Sequence, residues 1–516
     1  MKLNDPLWLK VLLVLGSGIL LGLVLAAFSP GDFLSGAWRS VLFCSILATL
    51  FYLVFWYLKP PKIVVVVAVC AFLLRVGVGT WLTTSLPTMG YDTPVQNAGY
   101  VYSDAYERDQ IAYMIAFHER WDDFNPADYT GMDQYGGMTA MSVGIYRLFS
   151  ADVQRPLLLI YFAAFFISTG ILFLWKAIKA GWGERIALIA CIVMAVYPEG
   201  ILLGSSQMRE PLLIGLASLT FWTTMGFRKG ARQPIIFILF GLATLLTCWI
   251  SIPAGLVIFM VDAAYLFVIR IAAEQDTRRR QILCGILALF LLLAAWAGWR
   301  WLKDTLYFDA YTTETESGLI AWILSVVGKN WRLPFVLLYG LIQPVLPAAL
   351  VYQSLPVWQG IAIFRAIGWY IIIPFLLYGV GAVIKTARKN RDWGMVWLIV
   401  VLLIWMIISS ARAGGDQWDN PRYRAIFLPW LALVVGWVWD HIVRARVSWF
   451  WRIVLLEGVF VLIFTNWYVN RKFGSGLAIP IQYLLIFYVA FTIFIIVGGI
   501  SLDRRRNKMQ SALKPE

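Results

Sequence analysis

Long apolar runs recur along almost the whole of this 516-residue sequence, and they restrict its fold more than any other feature. Runs of about 18 or more mostly apolar residues are long enough to cross the hydrocarbon core of a bilayer as α-helices. The runs are continuous and do not alternate apolar with polar residues, which excludes a transmembrane β-barrel. Charged residues make up only 14% of the chain, against roughly 25% in a soluble domain. The sequence therefore predicts an all-α polytopic membrane protein.

About fourteen of these runs are predicted to be transmembrane helices. We interpret the first as a retained helix, because it is too long for a signal peptide and further spans follow it. Two other stretches predict short helices: residues 138–149 could dip into the membrane, and three prolines within 333–351 indicate broken or re-entrant helices. The predicted spans are residues 7–28, 38–57, 62–82, 156–175, 186–204, 209–227, 234–250, 252–270, 281–301, 362–385, 394–411, 424–442, 449–468 and 481–501.

Basic residues cluster in the short turns between the runs. Because turns rich in lysine and arginine stay on the cytoplasmic side, this pattern places both termini inside the cell. The same rule places residues 83–155, 302–361 and 412–423 together on the outer face. The net charge of +14 arises largely from these turns, so it does not indicate binding to nucleic acid.

Cysteine and histidine provide no metal-binding pattern. The five cysteines all fall inside apolar runs, where they are expected to be small buried hydrophobic residues, and the chain has only two histidines. We therefore predict no protein-bound metal site built on these residues. Three charged residues inside apolar runs are functional candidates because charges in a membrane are costly: Arg75, Asp262 and Glu457.

Acidic residues concentrate in one of the predicted outer segments, since residues 83–155 hold ten of the 29 carboxylates. On a helix, Asp109 and Tyr113 are four positions apart and share a face. Asp109 is our candidate general base, with Asp104 second and Tyr113 a candidate for substrate binding. The acidic concentration also permits a divalent cation. The alternative is that these carboxylates, with Glu107, form a solvated acidic face.

A second candidate stretch is residues 205–211, where serines precede Pro211 and predict the start of a helix at the outer face. The N-terminus of a helix favours anions, so Arg209 at this point is a candidate for binding a phosphate. Glu210 is a candidate for substrate binding. Alternatively, Arg209 and Glu210 only pair with each other at the membrane interface.

The third candidate stretch, residues 414–424, immediately precedes the apolar run that starts at Ala425. Arg422 and Arg424 flank Tyr423, and arginine forks suit phosphate oxygens while an aromatic ring suits a sugar or a lipid chain. We predict that the two arginines bind a donor phosphate and that Tyr423 contacts substrate. The alternative is ordinary anchoring of the chain at the membrane interface.

These stretches, in this order, resemble motifs of the GT-C superfamily of membrane glycosyltransferases, and in particular its protein-mannosyltransferase and aminoarabinose-transferase branch. Residues 109–113 (Asp-Gln-Ile-Ala-Tyr) stand at an Asp-Glu-x-x-Tyr-like motif, with Gln110 in place of glutamate. Residues 134–138 stand at a Tyr-Gly-Pro-like approach, with Gly137 in place of proline. Residues 421–429 are similar to an Arg-Tyr-Arg-Leu-Pro-like stretch. The resemblance covers roughly residues 62–440.

The resemblance implies an inverting transfer of a sugar from a polyprenyl-phosphate donor to a lipid, glycan or protein acceptor on the outer face of a prokaryotic plasma membrane. It implies a base, cations for the leaving phosphate and an apolar groove for the prenyl chain within membrane lipids. Two other functions stay open: a transporter or flippase of lipid-linked saccharides, and an O-antigen ligase or polymerase. The predicted divisions are a hairpin (1–57), a catalytic core (62–442) and C-terminal helices with a basic tail (443–516).

Overall fold

The computed structural model describes residues 6–118, 136–230, 232–316, 331–390, 392–413, 416–445 and 447–512. Every regular element within these ranges is a helix, which confirms the predicted all-α class. The helices are α1 Leu7–Ala27, α2 Phe33–Leu58, α3 Lys62–Met89, α4 Pro94–Asn97, α5 Ser103–His118, α6 Gly137–Phe149, α7 Leu157–Trp182, α8 Glu184–Val196, α9 Pro198–Gly204, α10 Glu210–Arg228, α11 Pro234–Ile250, α12 Ile252–Ala273, α13 Thr277–Glu316, α14 Arg332–Ile342, α15 Leu346–Val351, α16 Pro356–Asn390, α17 Trp393–Ala413, α18 Asp419–Ala425, α19 Leu428–Ala445, α20 Ser448–Phe473 and α21 Ile481–Ala512.

Ten of the described helices are long and apolar enough to cross a membrane, and the number rises to twelve if each of two bent helix pairs is one span. All fourteen predicted spans fall on helices. The predicted count exceeds the twelve candidate spans by two, because two of these helices are too short or too polar to be counted. Helix α11 has only 17 residues. Helix α10 is less apolar, because it contains a serine and three threonines. These hydroxyl side chains are buried among other helices.

The helices on either side of the predicted outer segment 302–361 extend into it. Helix α13 continues to Glu316, and α16 already begins at Pro356. Between them the prolines act as predicted, because α14 and α15 are two short helices separated by the turn that contains Pro344.

Helix α7 lies at the centre of the molecule, where α3, α8 and α10 pack around it. Helices α7 and α10 approach closely at glycines: a Cβ at Gly170 would lie 2.9 Å from the Cα of Gly215. A side chain at either position would separate the helices, so this contact depends on glycine. The tight packing makes α10 a rigid support for whatever lies at its N-terminus.

Helices α8 and α9 form one of the two bent pairs, with an angle of 56° between them. The buried guanidinium of Arg75 lies at this bend and donates hydrogen bonds to the carbonyl oxygens of Met194, Ala195 and Gly200 at 3.0–3.2 Å, and to Ala71 at 2.9 Å. A break in a membrane helix leaves carbonyl groups without partners, and Arg75 supplies the missing donors. Its position in an apolar run therefore has a structural explanation.

The three segments predicted to share one face do lie together. Trp358 donates a hydrogen bond to Gln96 at 2.8 Å, which joins the start of α16 to α4. Arg422 of α18 is 3.0 Å from Asp104 of α5, which joins the third segment to the first. The fold thus brings the acidic and basic candidate stretches to one end of the helix assembly.

Candidate active site

Asp104 occupies the first turn of α5 and is far more accessible than the other two predicted acidic site residues, Asp109 and Glu210. Its side chain is 54% exposed, and one carboxylate oxygen accepts a hydrogen bond from the Nη1 atom of Arg422 at 3.0 Å. The second oxygen therefore has access to solvent on a carboxylate whose orientation is fixed by an ion pair. Such a group is able to contact a molecule arriving from outside.

Arg422 lies between three carboxylates. Besides Asp104, its guanidinium is 3.2 Å from a carboxylate oxygen of Glu210 and 3.3 Å from one of Asp419. The Arg422 and Glu210 side chains are almost completely buried, at 7% and 1% exposure. Arg209 also pairs with Glu210, 3.9 Å from the same carboxylate oxygen, so three negative groups face two positive groups. The negative excess around Arg422 disfavours an additional phosphate there. Arg422 instead connects α5, α10 and α18.

Arg424 points to a different part of the protein, although it is only two positions from Arg422. Two positions correspond to about 200° around a helix, so the two side chains leave α18 on opposite sides. Arg424 is buried, donates to the carbonyl oxygens of Leu341 and Gln343, and lies 3.8 Å from the centre of the Trp369 ring. The structure therefore separates Arg424 from Arg422, while Arg209 and Arg422 both contact Glu210.

A cleft does bring two other arginines together, at the N-terminus of α10. Arg209 immediately precedes this helix, and Arg412 lies in the last turn of α17, with its guanidinium 4.6 Å from the centre of the Tyr423 ring. The cleft is lined by Arg209, Glu210, Leu213, Ser251, Pro253, Ala254, Trp405, Ile408, Ser409, Arg412, Tyr423 and Ile426. Two arginine side chains, the positive end of the α10 dipole and the hydroxyl groups of Ser251, Ser409 and Tyr423 are suited to an anion with an apolar substituent.

The cleft adjoins the Arg422 cluster, because Glu210 lines the cleft and contacts Arg422. Of the predicted site residues, Arg209, Glu210 and Tyr423 are cleft residues, and Asp104 is connected to them through Arg422. Arg412 was missed by the sequence analysis. The available signal was its position at the end of an apolar run inside a predicted outer segment, where a cation lies at the membrane surface.

Asp109 lies on another side of α5, since five positions correspond to about 140° around a helix. Its side chain is 1% exposed. Its carboxylate accepts hydrogen bonds from Tyr100, from Tyr146 at 2.5 Å and from Gln154 at 3.0 Å. Burial raises the pKa of the Asp109 carboxyl, although these hydrogen bonds lower it. This geometry makes Asp109 a group that holds α5 against α6.

Tyr113 belongs to the surroundings of Asp109. Its ring packs edge-on against Tyr146, with ring centroids 5.7 Å apart. It also packs at a tilted angle against Phe117, with centroids 4.7 Å apart. Tyr146 donates to Asp109, so the shared helix face of Asp109 and Tyr113 that the spacing predicts is present. That face is part of the packing between α5 and α6, and Tyr113 does not line the cleft.

A buried ion pair next to the site was also missed. Arg365 of α16 binds both carboxylate oxygens of Glu199, at 2.6 and 3.0 Å, and its guanidinium lies 4.3 Å from the centre of the Trp418 ring. Both side chains are 2% exposed. Each residue is an isolated charge near or inside an apolar run, which is unusual. That the two form an ion pair could not be predicted from the sequence, because they are 166 positions apart. The pair ties α9 and α16 to the residue that precedes α18.

Within the described ranges, no group of three or more histidine, cysteine, aspartate or glutamate side chains is arranged to hold a metal ion. The described cleft lining also contains neither Asp262 nor Glu457. Parts of two candidate motifs, residues 134–135 and 414–415, lie outside the described residues.

No protein-family model matches this chain, and no curated protein matches it. Among solved structures, the chain is similar to the archaeal oligosaccharyltransferase AglB from Archaeoglobus fulgidus, solved in complex with an inhibitory peptide and a dolichol-phosphate. The sequence identity is 16% and the TM-score is 0.37, with 87% of this chain and 55% of that chain covered. This chain thus spans about half the length of AglB. A TM-score this low does not allow residues to be transferred, so the site is interpreted from its own geometry.

Proposed function

We propose that this protein is an inverting glycosyltransferase that moves a sugar from a polyprenyl-phosphate donor to an acceptor. The observation that carries the proposal is the combination of a half-exposed, ion-paired carboxylate, Asp104, with the cleft of Arg209 and Arg412 at the start of α10. A carboxylate that activates a nucleophile and cations that receive a leaving phosphate are the two groups this reaction requires.

The donor phosphate is assigned to the side chains of Arg209 and Arg412. Two arginine forks stabilise the negative charge that develops on the phosphate as the bond to the sugar breaks. This revises the set predicted from the sequence: Arg209 is kept, Arg412 is added, and Arg422 and Arg424 are given structural roles. The apolar side chains of Trp405, Ile408 and Ile426 provide a surface for the first units of the prenyl chain.

Asp104 is assigned as the general base, and Asp109 as a positioning residue. Asp104 accepts the proton of the acceptor hydroxyl or amine while the acceptor attacks the anomeric carbon from the face opposite the phosphate. Arg422 fixes the orientation of Asp104, and Glu210 and Asp419 fix Arg422. Asp109 acts through its hydrogen bonds, which set the position of α5 and thus of Asp104.

The positive-inside pattern supports a plasma-membrane location with this site on the outer face, where the donor meets a lipid, glycan or protein acceptor. The test is to incubate the purified protein with radiolabelled polyprenyl-phosphate sugars, with and without Mg²⁺, and to measure release of polyprenyl phosphate. We expect release that depends on Asp104 and a product of inverted anomeric configuration. Donor movement across liposomes without cleavage would instead favour the transporter, and cleavage restricted to diphosphate-linked donors would favour the ligase or polymerase.

A further inference from the structure

A second cavity lies far along the chain from the cleft, between the hairpin of α1 and α2 and the helix α3. Its walls are formed by apolar side chains such as Leu13, Leu20, Phe51 and Val66, and its volume is about 560 Å³. This volume is within the range of about 300–1,000 Å³ that small-molecule sites occupy. Helices α1, α2 and α3 are all long and apolar enough to cross a membrane, so the groove is open to the bilayer.

One end of this groove is basic. Lys62, the first residue of α3, lines the groove, and Lys59 lies in the turn directly before it. Lys176 of α7 reaches the same end and donates a hydrogen bond to the carbonyl oxygen of Leu58 at 3.1 Å. In the part of the chain that the structure describes, neither Lys59 nor Lys62 forms an ion pair with a carboxylate. An apolar groove that ends at exposed ammonium groups matches a molecule with hydrocarbon chains and an anionic head.

We infer that this groove binds one anionic glycerophospholipid, with its acyl chains between the hairpin and α3 and its phosphate between Lys59 and Lys62. Basic pockets between membrane helices on the cytoplasmic side are suited to anionic lipid head groups. The turn of Lys59 and Lys62 is on the side that the positive-inside pattern places in the cytoplasm, where anionic lipids meet it. The bound lipid would fill the space between the hairpin and the core, and so join them.

The inference is tested with the full-length protein in detergent, titrated with phosphatidylglycerol and with phosphatidylcholine carrying the same acyl chains. Native mass spectrometry measures the dissociation constant of each lipid. We expect one saturable site that prefers phosphatidylglycerol by roughly tenfold or more. The double variant Lys59→Ala/Lys62→Ala should raise the dissociation constant of phosphatidylglycerol by roughly fivefold for each lysine removed, as expected for the loss of one surface cation. Arg505→Ala, an exposed arginine on the last helix, is the matched control and should change neither constant.

The groove itself is tested with Ala48→Trp, which places a large side chain in it and should weaken the binding of both lipids. If that variant does not fold, Val66→Trp places the same bulk on the opposite wall, at a side chain that is exposed. Equal affinity for the two lipids, or an unchanged constant in the lysine variant, would overturn the inference. So would unchanged binding in the folded tryptophan variants, or displacement of phosphatidylglycerol by a lower concentration of undecaprenyl phosphate.

Discussion

Asp104 and Arg422 are 318 positions apart in the chain, and a 3.0 Å ion pair joins them. The pair connects the first turn of α5 to the short helix α18, just before α18 and α19 meet at 74°. It leaves half of the Asp104 side chain exposed while Arg422 is buried among carboxylates. The exposed carboxylate of this pair is accessible from solvent, and the buried guanidinium holds it in position.

Asp104→Asn should lower turnover by about 100-fold or more, the usual effect of losing a general base. Asparagine can still accept the hydrogen bond from Arg422, so donor affinity should change little. Release of polyprenyl phosphate at saturating donor measures the effect, and Glu107→Gln, an exposed carboxylate on the same helix, is the control. Normal turnover in Asp104→Asn would remove Asp104 as the base and restore Asp109 as the candidate.

Arg209→Ala and Arg412→Ala should each weaken donor binding by roughly tenfold or more, because a hydrogen bond to a charged group contributes about 1.5–3 kcal/mol. Lysine at either position keeps the charge but not the planar fork, so its effect should be intermediate. Equilibrium titration with labelled donor gives the constants. Arg424→Ala is the contrasting variant: its guanidinium binds backbone carbonyls, so the thermal midpoint should fall while the folded protein keeps its donor affinity. The opposite ranking would return Arg424 to the phosphate site.

The stability contributed by Asp109 should depend on pH. Burial raises the pKa of its carboxyl above the ordinary value of 3.8, so the folded protein holds this proton more tightly than the unfolded chain does. The contribution is therefore complete below about pH 3.8 and is lost as the pH rises through the raised folded pKa. The thermal midpoint of the wild type minus that of Asp109→Asn should fall as the pH rises above the ordinary carboxyl pKa of 3.8. A difference that stays constant or increases with pH would contradict the assignment, and Glu107→Gln gives the baseline.

Glu199→Gln should destabilise the protein by about 3–5 kcal/mol, because it leaves the Arg365 charge buried without its partner. The double variant Glu199→Gln/Arg365→Met removes both charges and should regain part of that loss. The free energy of unfolding of each variant is measured in detergent, with tryptophan fluorescence as the signal. A single variant as stable as the wild type would show that the ion pair does not hold α9 against α16.

Single cysteines in a cysteine-free background should report the topology. A cysteine at Gln417 should react with a membrane-impermeant maleimide in intact cells, because the basic turns predict that residues 412–423 lie on the outer face. A cysteine at Gly230, in a basic turn, should react only after the cells are opened. Both positions are exposed in the structure. The reverse pattern would invert the proposed orientation and place the cleft in the cytoplasm.

The helices were predictable because membrane spans are contiguous in sequence, and each of the fourteen predicted runs lies on one helix or on a bent pair of helices. The site was less predictable. Arg209, Glu210 and Tyr423, which the sequence analysis proposed for phosphate and substrate binding, line the cleft. The different positions of Arg422 and Arg424 depend on how α18 packs, and the partnership of Glu199 with Arg365 depends on contacts between distant helices. Charges in an apolar sequence can be recognised locally, but the partners that neutralise them cannot.

Arg75 has a consequence for how the protein responds to its surroundings. Four backbone carbonyl oxygens surround its guanidinium, and in the described part of the chain no carboxylate pairs with it. Carbonyl groups do not titrate, so these hydrogen bonds do not depend on the ionisation of a partner. The elbow between α8 and α9 should therefore keep its shape when the surrounding medium is acidified.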